Sequence, residues 1–295
     1  MFPSFHSCFP ISRLIGIVIL AGALMVSCGP SANQSAAPAN PYDRAAEAFQ
    51  KGQLDNALEI TGKLARVTPP DDTTQKARVL RAVIFTGELK GSTELAAAYD
   101  KGAEKSKNPQ FQVAYRRLRS DNLSGAAGAA LNLAETAHQL APDGVIPKSL
   151  TLLASMPTTE GPAEIKQLAH VEEGGWIESD DQDAAQTDAL RKGIDDALAD
   201  AVSGDRAKAR QALANGSTTL RGSDFAIFLA KELALGAAVF DRHHGRDAKK
   251  MLILCDEGDL ALKAALAQLK DSPDKDLDKE AQKLQDKFKT IRKDK

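Results

Sequence analysis

Three small groups of residues could do chemistry, and each would need a different kind of site. His243 and His244, with Asp241 and Asp247 nearby, are side chains of the types that hold zinc. Neighbours on a helix project about 100° apart, so the two imidazoles cannot converge on one ion. With Gly245 behind them they read as a helix end, where histidine suits the dipole and glycine the cap. Cys255 is a potential nucleophile, but it falls on an apolar stripe with Met251 and Leu252, and no neighbour supplies a base. It reads as a small core hydrophobe. Glu178-Ser179 pairs an acid with a hydroxyl at the head of an acidic run that includes Asp180, Asp181 and Asp183. No GxSxG, phosphate-binding glycine loop, HExxH or CxxC occurs. The sequence therefore leads us to expect no catalytic residues, no metal and no cofactor.

The elements around these residues are helical. Of 295 residues 43% are hydrophobic and only 5% aromatic, and alanine is abundant, which favours closely packed helices over sheets. Leu54, Ala57, Leu58, Thr61, Leu64 and Ala65 recur at the spacing of one buried helix face. Ala248, Met251, Leu252 and Cys255 do so again, followed by Leu262, Ala265, Leu266 and Leu269. No alternating stretch is long enough to argue for a strand. Phe225 to Phe240 is the most apolar internal segment, but it carries Lys231-Glu232 and falls short of the ~20 residues of a membrane span. It reads as a central helix with partners on both sides.

Leu14 to Val26 is an apolar run behind Arg13, and Ser27 and Cys28 follow it. Its length and its small-residue end fit a cleaved export signal. Met25-Val26-Ser27-Cys28 resembles the bacterial lipobox, although the family prefers leucine where Met25 stands. The resemblance implies that Cys28 is diacylated and begins the mature protein. Gly29, rather than aspartate, then implies outer-membrane sorting by the proteobacterial rule. Residues 28–41 read as a polar, proline-bearing tether. Loss of Arg13 with the signal (1–27) takes the formal charge from −2 to −3, which gives no reason to expect nucleic acid as a partner. With Cys8 in the signal and Cys28 acylated, Cys255 has no disulfide partner.

Residues 42–142 carry an internal repeat. Gly52 is followed by Ala57, Leu64 and Pro69; Gly91 by Ala96, Ala103 and Asn108; Gly125 by Ala130, Ala137 and Pro142. The spacing resembles the tetratricopeptide repeat, a helix-turn-helix unit of about 34 residues. The large aromatic and the leucine-glycine pair of the family's first helices are missing, and a generic alanine-rich hairpin array would give a similar pattern. The resemblance implies a turn at each glycine and an all-α, right-handed superhelix of antiparallel helix pairs. In that family first helices line a concave groove, so Arg78, Arg81, Arg116, Arg117 and Arg119 become candidates for clamping an acidic peptide or C-terminal carboxylate. The alternative is a solvated helix face balanced by neighbouring acids.

Residues 143–182 break the rhythm with Pro147, Pro157, Pro162 and Gly174-Gly175. They predict an irregular connector holding short helices around Lys148–Ser155 and Ala163–Val171, between two helical halves. The second half, 183–295, has turns at Gly204-Asp205 and Gly245-Arg246 and ends in a capping helix from Ser272-Pro273, with Leu277, Ala281, Leu284, Phe288 and Ile291 inward. The sequence reading is a non-catalytic, lipid-anchored adaptor of the bacterial envelope, on the periplasmic side of the outer membrane, binding an unidentified protein or peptide. Two alternatives stay open. Glu178-Ser179 resembles the catalytic pair of lytic transglycosylases, without the motif that should follow it, which would make the chain an enzyme or helical accessory acting on peptidoglycan. A structural or solute-binding helical lipoprotein is the other.

Overall fold

Asp71 and Asn108 start the two longest helices. The Asp71 carboxylate accepts from the Thr74 N–H at 2.7 Å, and the Asn108 side chain accepts from the Gln110 N–H at 2.9 Å, just ahead of Pro109. From these caps run α3 (Asp72–Lys105) and α4 (Pro109–Leu140), 34 and 32 residues long. A computed structural model describes residues 40–240 and 247–293. The signal, Cys28, most of the tether, His243-His244 and the Gly245-Arg246 turn lie outside the described residues.

Helix makes up 76% of the structure, which is all-α apart from one small sheet. Ahead of α3 stand α1 (Pro41–Gln50) and α2 (Leu54–Ala65), joined at Gly52, whose φ of 73° only glycine adopts cheaply. After α4 come α5 (Lys166–Glu172), α6 (Ser179–Val202), α7 (Arg206–Ala212) and α8 (Gly222–Ala238). The order ends with α9 (Ala248–Asp271) and α10 (Lys275–Lys293). Strands β1 (Ser149–Leu152) and β2 (Thr218–Arg221) pair antiparallel, with Leu150 opposite Leu220 and both buried. No described helix is long and apolar enough to cross a membrane.

Several sequence expectations need correction. Gly91 and Gly125 are not turns: each lies inside a continuous helix, Gly91 in α3 and Gly125 in α4. Only the Gly52 turn stands where the repeat spacing put it. The stretch Lys148–Ser155 forms strand β1 rather than a helix, because Leu150 and Leu152 point inward while Thr151 faces its partner on β2. The helix expected over Ala163–Val171 begins three residues later, at Lys166. The acidic run after Glu178 is no connector. Asp180 and Asp181 form the first turn of α6, where their charge suits the helix dipole. The last helix is capped by Asp274, which accepts from the Asp276 and Leu277 N–H groups at 3.1 and 3.3 Å, two residues beyond Ser272.

The two expected halves share one core. Buried side chains run continuously from Tyr42 and Phe49 through Leu80, Ile84, Leu133 and Ile194 to Phe225, Leu262 and Phe288. A fully buried leucine or phenylalanine there contributes about 1.5–3 kcal/mol. Helix α8 is buried around most of its circumference, as its apolar sequence requires. A smaller cluster gathers Tyr99 and Tyr115 with Ile165, Val171 and Ile177, and binds α5 to the far ends of α3 and α4.

Candidate functional site

Arg78 and Arg81 sit one turn apart on α3, and both are turned into the fold. Arg78 donates from Nε and Nη2 to the Ala65 carbonyl at 3.1 and 2.9 Å, and from Nη1 to the Gln139 carbonyl at 2.9 Å. Those carbonyls belong to the last turns of α2 and α4, so one guanidinium caps two helix C-termini and meets the negative end of each dipole. Arg81 donates to the Leu58 carbonyl at 3.1 Å and lies 4.9 Å above the Phe85 ring. Gly62 gives it room on α2: a Cβ there would stand 2.9 Å from Nη1.

The other three arginines are on α4. Arg119 reaches across to Asp100 on α3 at 2.8 Å. Arg116 and Arg117 are exposed, and Arg117 comes no nearer than 3.9 Å to Asp121. They stand three and four residues after Val113, which is 67% exposed, so the three side chains share one outward helix face. The structure therefore separates the five arginines into three that tie helices together and two that face solvent beside an apolar residue.

The densest chemistry lies where α3 crosses α6. Gly87 and Gly91 on α3 meet Ala189 and Gly193 on α6 backbone to backbone. A Cβ on Gly91 would lie 2.6 Å from the Ala189 carbonyl oxygen, and one on Gly193 would collide with that of Gly87. Beside this contact Lys90 Nζ lies 2.7 Å from Asp200 and 3.1 Å from Glu232, and Lys192 lies 3.0 Å from both Glu94 and Asp196. Lys192, Asp196 and Asp200 are spaced by four, which puts them on one stripe of α6.

Glu232 is 1% exposed. Neither of its oxygens makes a hydrogen bond: Lys90 is at ion-pair distance but not in hydrogen-bond alignment. Burial pushes the Glu232 carboxyl above its ordinary pKa, with Lys90 opposing. Burial alone would lower Lys90, but Glu232 and Asp200 outweigh it and hold the ammonium above the usual lysine range. A lysine held charged cannot act as a nucleophile, and a carboxylate sealed in the core cannot reach a substrate. On α6, next to Asp196, Asp195 is 2% exposed and accepts from the Gly161 N–H at 3.0 Å and from Arg210 at 2.7 Å, which fastens the 153–165 loop to α6 and α7. This network holds helices together.

Glu88 is arranged differently. It forms no ion pair among the described residues, and burial together with the Asp55 carboxylate raises its pKa to about 7, with Arg81 opposing.

The remaining candidates offer little chemistry. Cys255 is buried in α9, as its stripe requires. Glu178 is exposed at the N-cap of α6, without the burial that would tune a catalytic acid. Among the described residues no group of histidine, cysteine and acidic side chains converges as a metal site would.

Two features escaped the sequence reading. The α3–α6 crossing was signalled by small residues spaced four apart, Gly87 with Gly91 and Ala189 with Gly193, but the repeat spacing had already claimed Gly91 as a turn. The aromatic ladder of Tyr99, Tyr115, Trp176 and Phe111, with ring centroids 5.0–5.7 Å apart, gave no signal because Trp176 comes from a loop. The chain matches no family model, no curated protein and no solved structure.

Proposed function

We propose that this chain is a non-catalytic adaptor of the bacterial cell envelope, lipid-anchored through Cys28 on the periplasmic side of the outer membrane, whose helical body holds a protein or peptide partner. The observation that carries the reading is the exposed face of α4 on which Val113 stands beside Arg116 and Arg117. An apolar residue flanked by two guanidiniums suits a partner that brings an apolar side chain next to carboxylates. The α3–α4 hairpin supports that face: Arg119 ties α4 to Asp100 on α3, and Arg78 on α3 holds its C-terminal turn. In architecture we read successive antiparallel helix pairs as a divergent tetratricopeptide-like array. The α1–α2 hairpin keeps the repeat's turn, and the following pair is stretched into two double-length helices.

The test is photocrosslinking in the native envelope from a reactive residue placed at Val113. A discrete partner should be recovered, and reversing charge with Arg116→Glu and Arg117→Glu should reduce recovery at least about tenfold while the helical circular dichroism stays unchanged. Equal recovery from the reversed variant rules out the face. The anchor is tested separately: globomycin should block processing, and absence of lipid on Cys28 would remove the membrane from the proposal.

A further inference from the structure

A second surface lies at the other end of the chain, where α10 folds back along α9. The ring of Phe288 on α10 packs onto Gly258 of α9, in the space a side chain there would fill. The same two helices line a groove of about 920 Å³. Its α9 wall spans Asp259 to Lys270, about 16 Å at the helical rise of 1.5 Å per residue, the length of three helical turns or five extended residues. Leu266 and Leu269 make its floor apolar, and Ala267 is an exposed residue of its wall.

The charges along the groove are not balanced. Two of its three carboxylates are paired with cations, Asp259 with Arg292 at 2.7 Å and Asp274 with Arg221 at 3.6 Å, while Asp278 accepts only from the neutral Gln282 amide at 3.0 Å and keeps its charge. Lys270 and Lys275 form no ion pair among the described residues. Lys263 donates only to the Asp143 carbonyl, at 2.9 Å, which leaves its charge uncompensated by any carboxylate. Three lysines without a carboxylate partner outnumber the one uncompensated acid, Asp278, and with the apolar lining they are complementary to a ligand that is acidic and amphipathic. A free small anion would use neither the length nor the floor. A flat bilayer surface would not reach Leu269, which is buried.

We propose that the groove between α9 and α10 docks an acidic, amphipathic peptide segment of a partner protein, with Lys263, Lys270 and Lys275 pairing to its carboxylates and its apolar side chains resting on Leu266 and Ala267. The surface is distinct from the exposed face of α4 and holds whether or not Cys28 carries lipid. The probe is a short fluorescein-labelled peptide of Glu-Glu-Leu-Ala repeats, titrated with the full chain and read by anisotropy. It should bind, and its affinity should fall at least about tenfold in the Lys270→Glu, Lys275→Glu double variant, equivalent to about 1.4 kcal/mol. Filling the groove from its exposed wall with Ala267→Trp should have the same effect, and it decides the matter alone should the charge reversal unfold the chain. Affinity unchanged by either variant, or equal affinity for the same peptide with lysine in place of glutamate, overturns the proposal. Loss of peptide binding on reversing Arg116 and Arg117 would move the peptide to α4 and overturn it too. Flotation with phosphatidylglycerol vesicles that the double variant abolishes, without peptide binding, would assign the lysines to lipid instead.

Discussion

Helices α3 and α6 meet with their backbones in contact, whereas α9 and α10 meet through an aromatic ring seated on a glycine. In the first pair glycine and alanine bring carbonyls within contact distance, and Lys90, Glu94, Lys192, Asp196 and Asp200 are drawn into pairs with each other. In the second, Phe288 rests over Gly258, a groove opens beside it, and lysines at its edge keep their charge for something else. Close backbone approach uses up both the space and the charges a ligand would need. The joint of α9 with α10 leaves both.

The largest effect should come from the closed joint. Lys90→Met leaves Glu232 buried without a counter-charge and should cost about 3 kcal/mol or more in urea unfolding. Adding Glu232→Leu should recover most of that loss, because the unpaired charge goes with it. A double variant as unstable as the single one would mean that the lysine acts through packing alone.

Next come the glycines that distinguish the joints. Gly193→Ala must push α6 away from the Gly87 carbonyl and should destabilise by about 3 kcal/mol, since backbone on both sides cannot yield. Gly258→Ala meets only the Phe288 ring on an outer helix, and should cost about 1–2 kcal/mol. Equal thermal shifts for the two substitutions would erase the contrast between the joints.

The smallest effect concerns a carboxyl that neither joint resembles. Glu88 faces Asp55 rather than a lysine, and its folded pKa of about 7 lies above the ordinary 4.5. A carboxyl raised in the folded state leaves stability intact below about pH 4.5 and takes it away as pH rises through about 7. Glu88→Gln should therefore be more stable than the parent by about 1–2 kcal/mol at pH 8, with little difference at pH 4.5. Parallel urea curves at both pH values would show that Glu88 ionises freely.

The sequence made some of this legible and hid the rest for physical reasons. The stripes of α2, α9 and α10 were readable because one helix burying one face leaves a period of 3.6 in its own residues, and α8 because it is apolar all round. Gly91 was misread because a helix interior glycine and a turn glycine look alike until the partner is known, and its partner, Ala189, lies about a hundred residues away. Four-residue strands such as β1 are too short for alternation to stand out. Among the arginines, residue type alone could not separate Arg78, which caps two helices, from Arg116, which faces solvent. The groove could not be read at all, because it exists only through the distance between α9 and α10.

The length of α3 has a consequence for how the chain reaches its final form. Its flanks are covered by α2, α4 and α6, and α6 ends at Val202, well after α3 in order of synthesis. Until then Gly87, Gly91 and the lysine between them face water, with neither their carbonyl contacts nor their counter-charges in place. The N-terminal helices therefore cannot finish folding as a separate first step. They must be kept from their neighbours until the later segments arrive, so the chain's most vulnerable interval falls between the appearance of α3 and the arrival of α6.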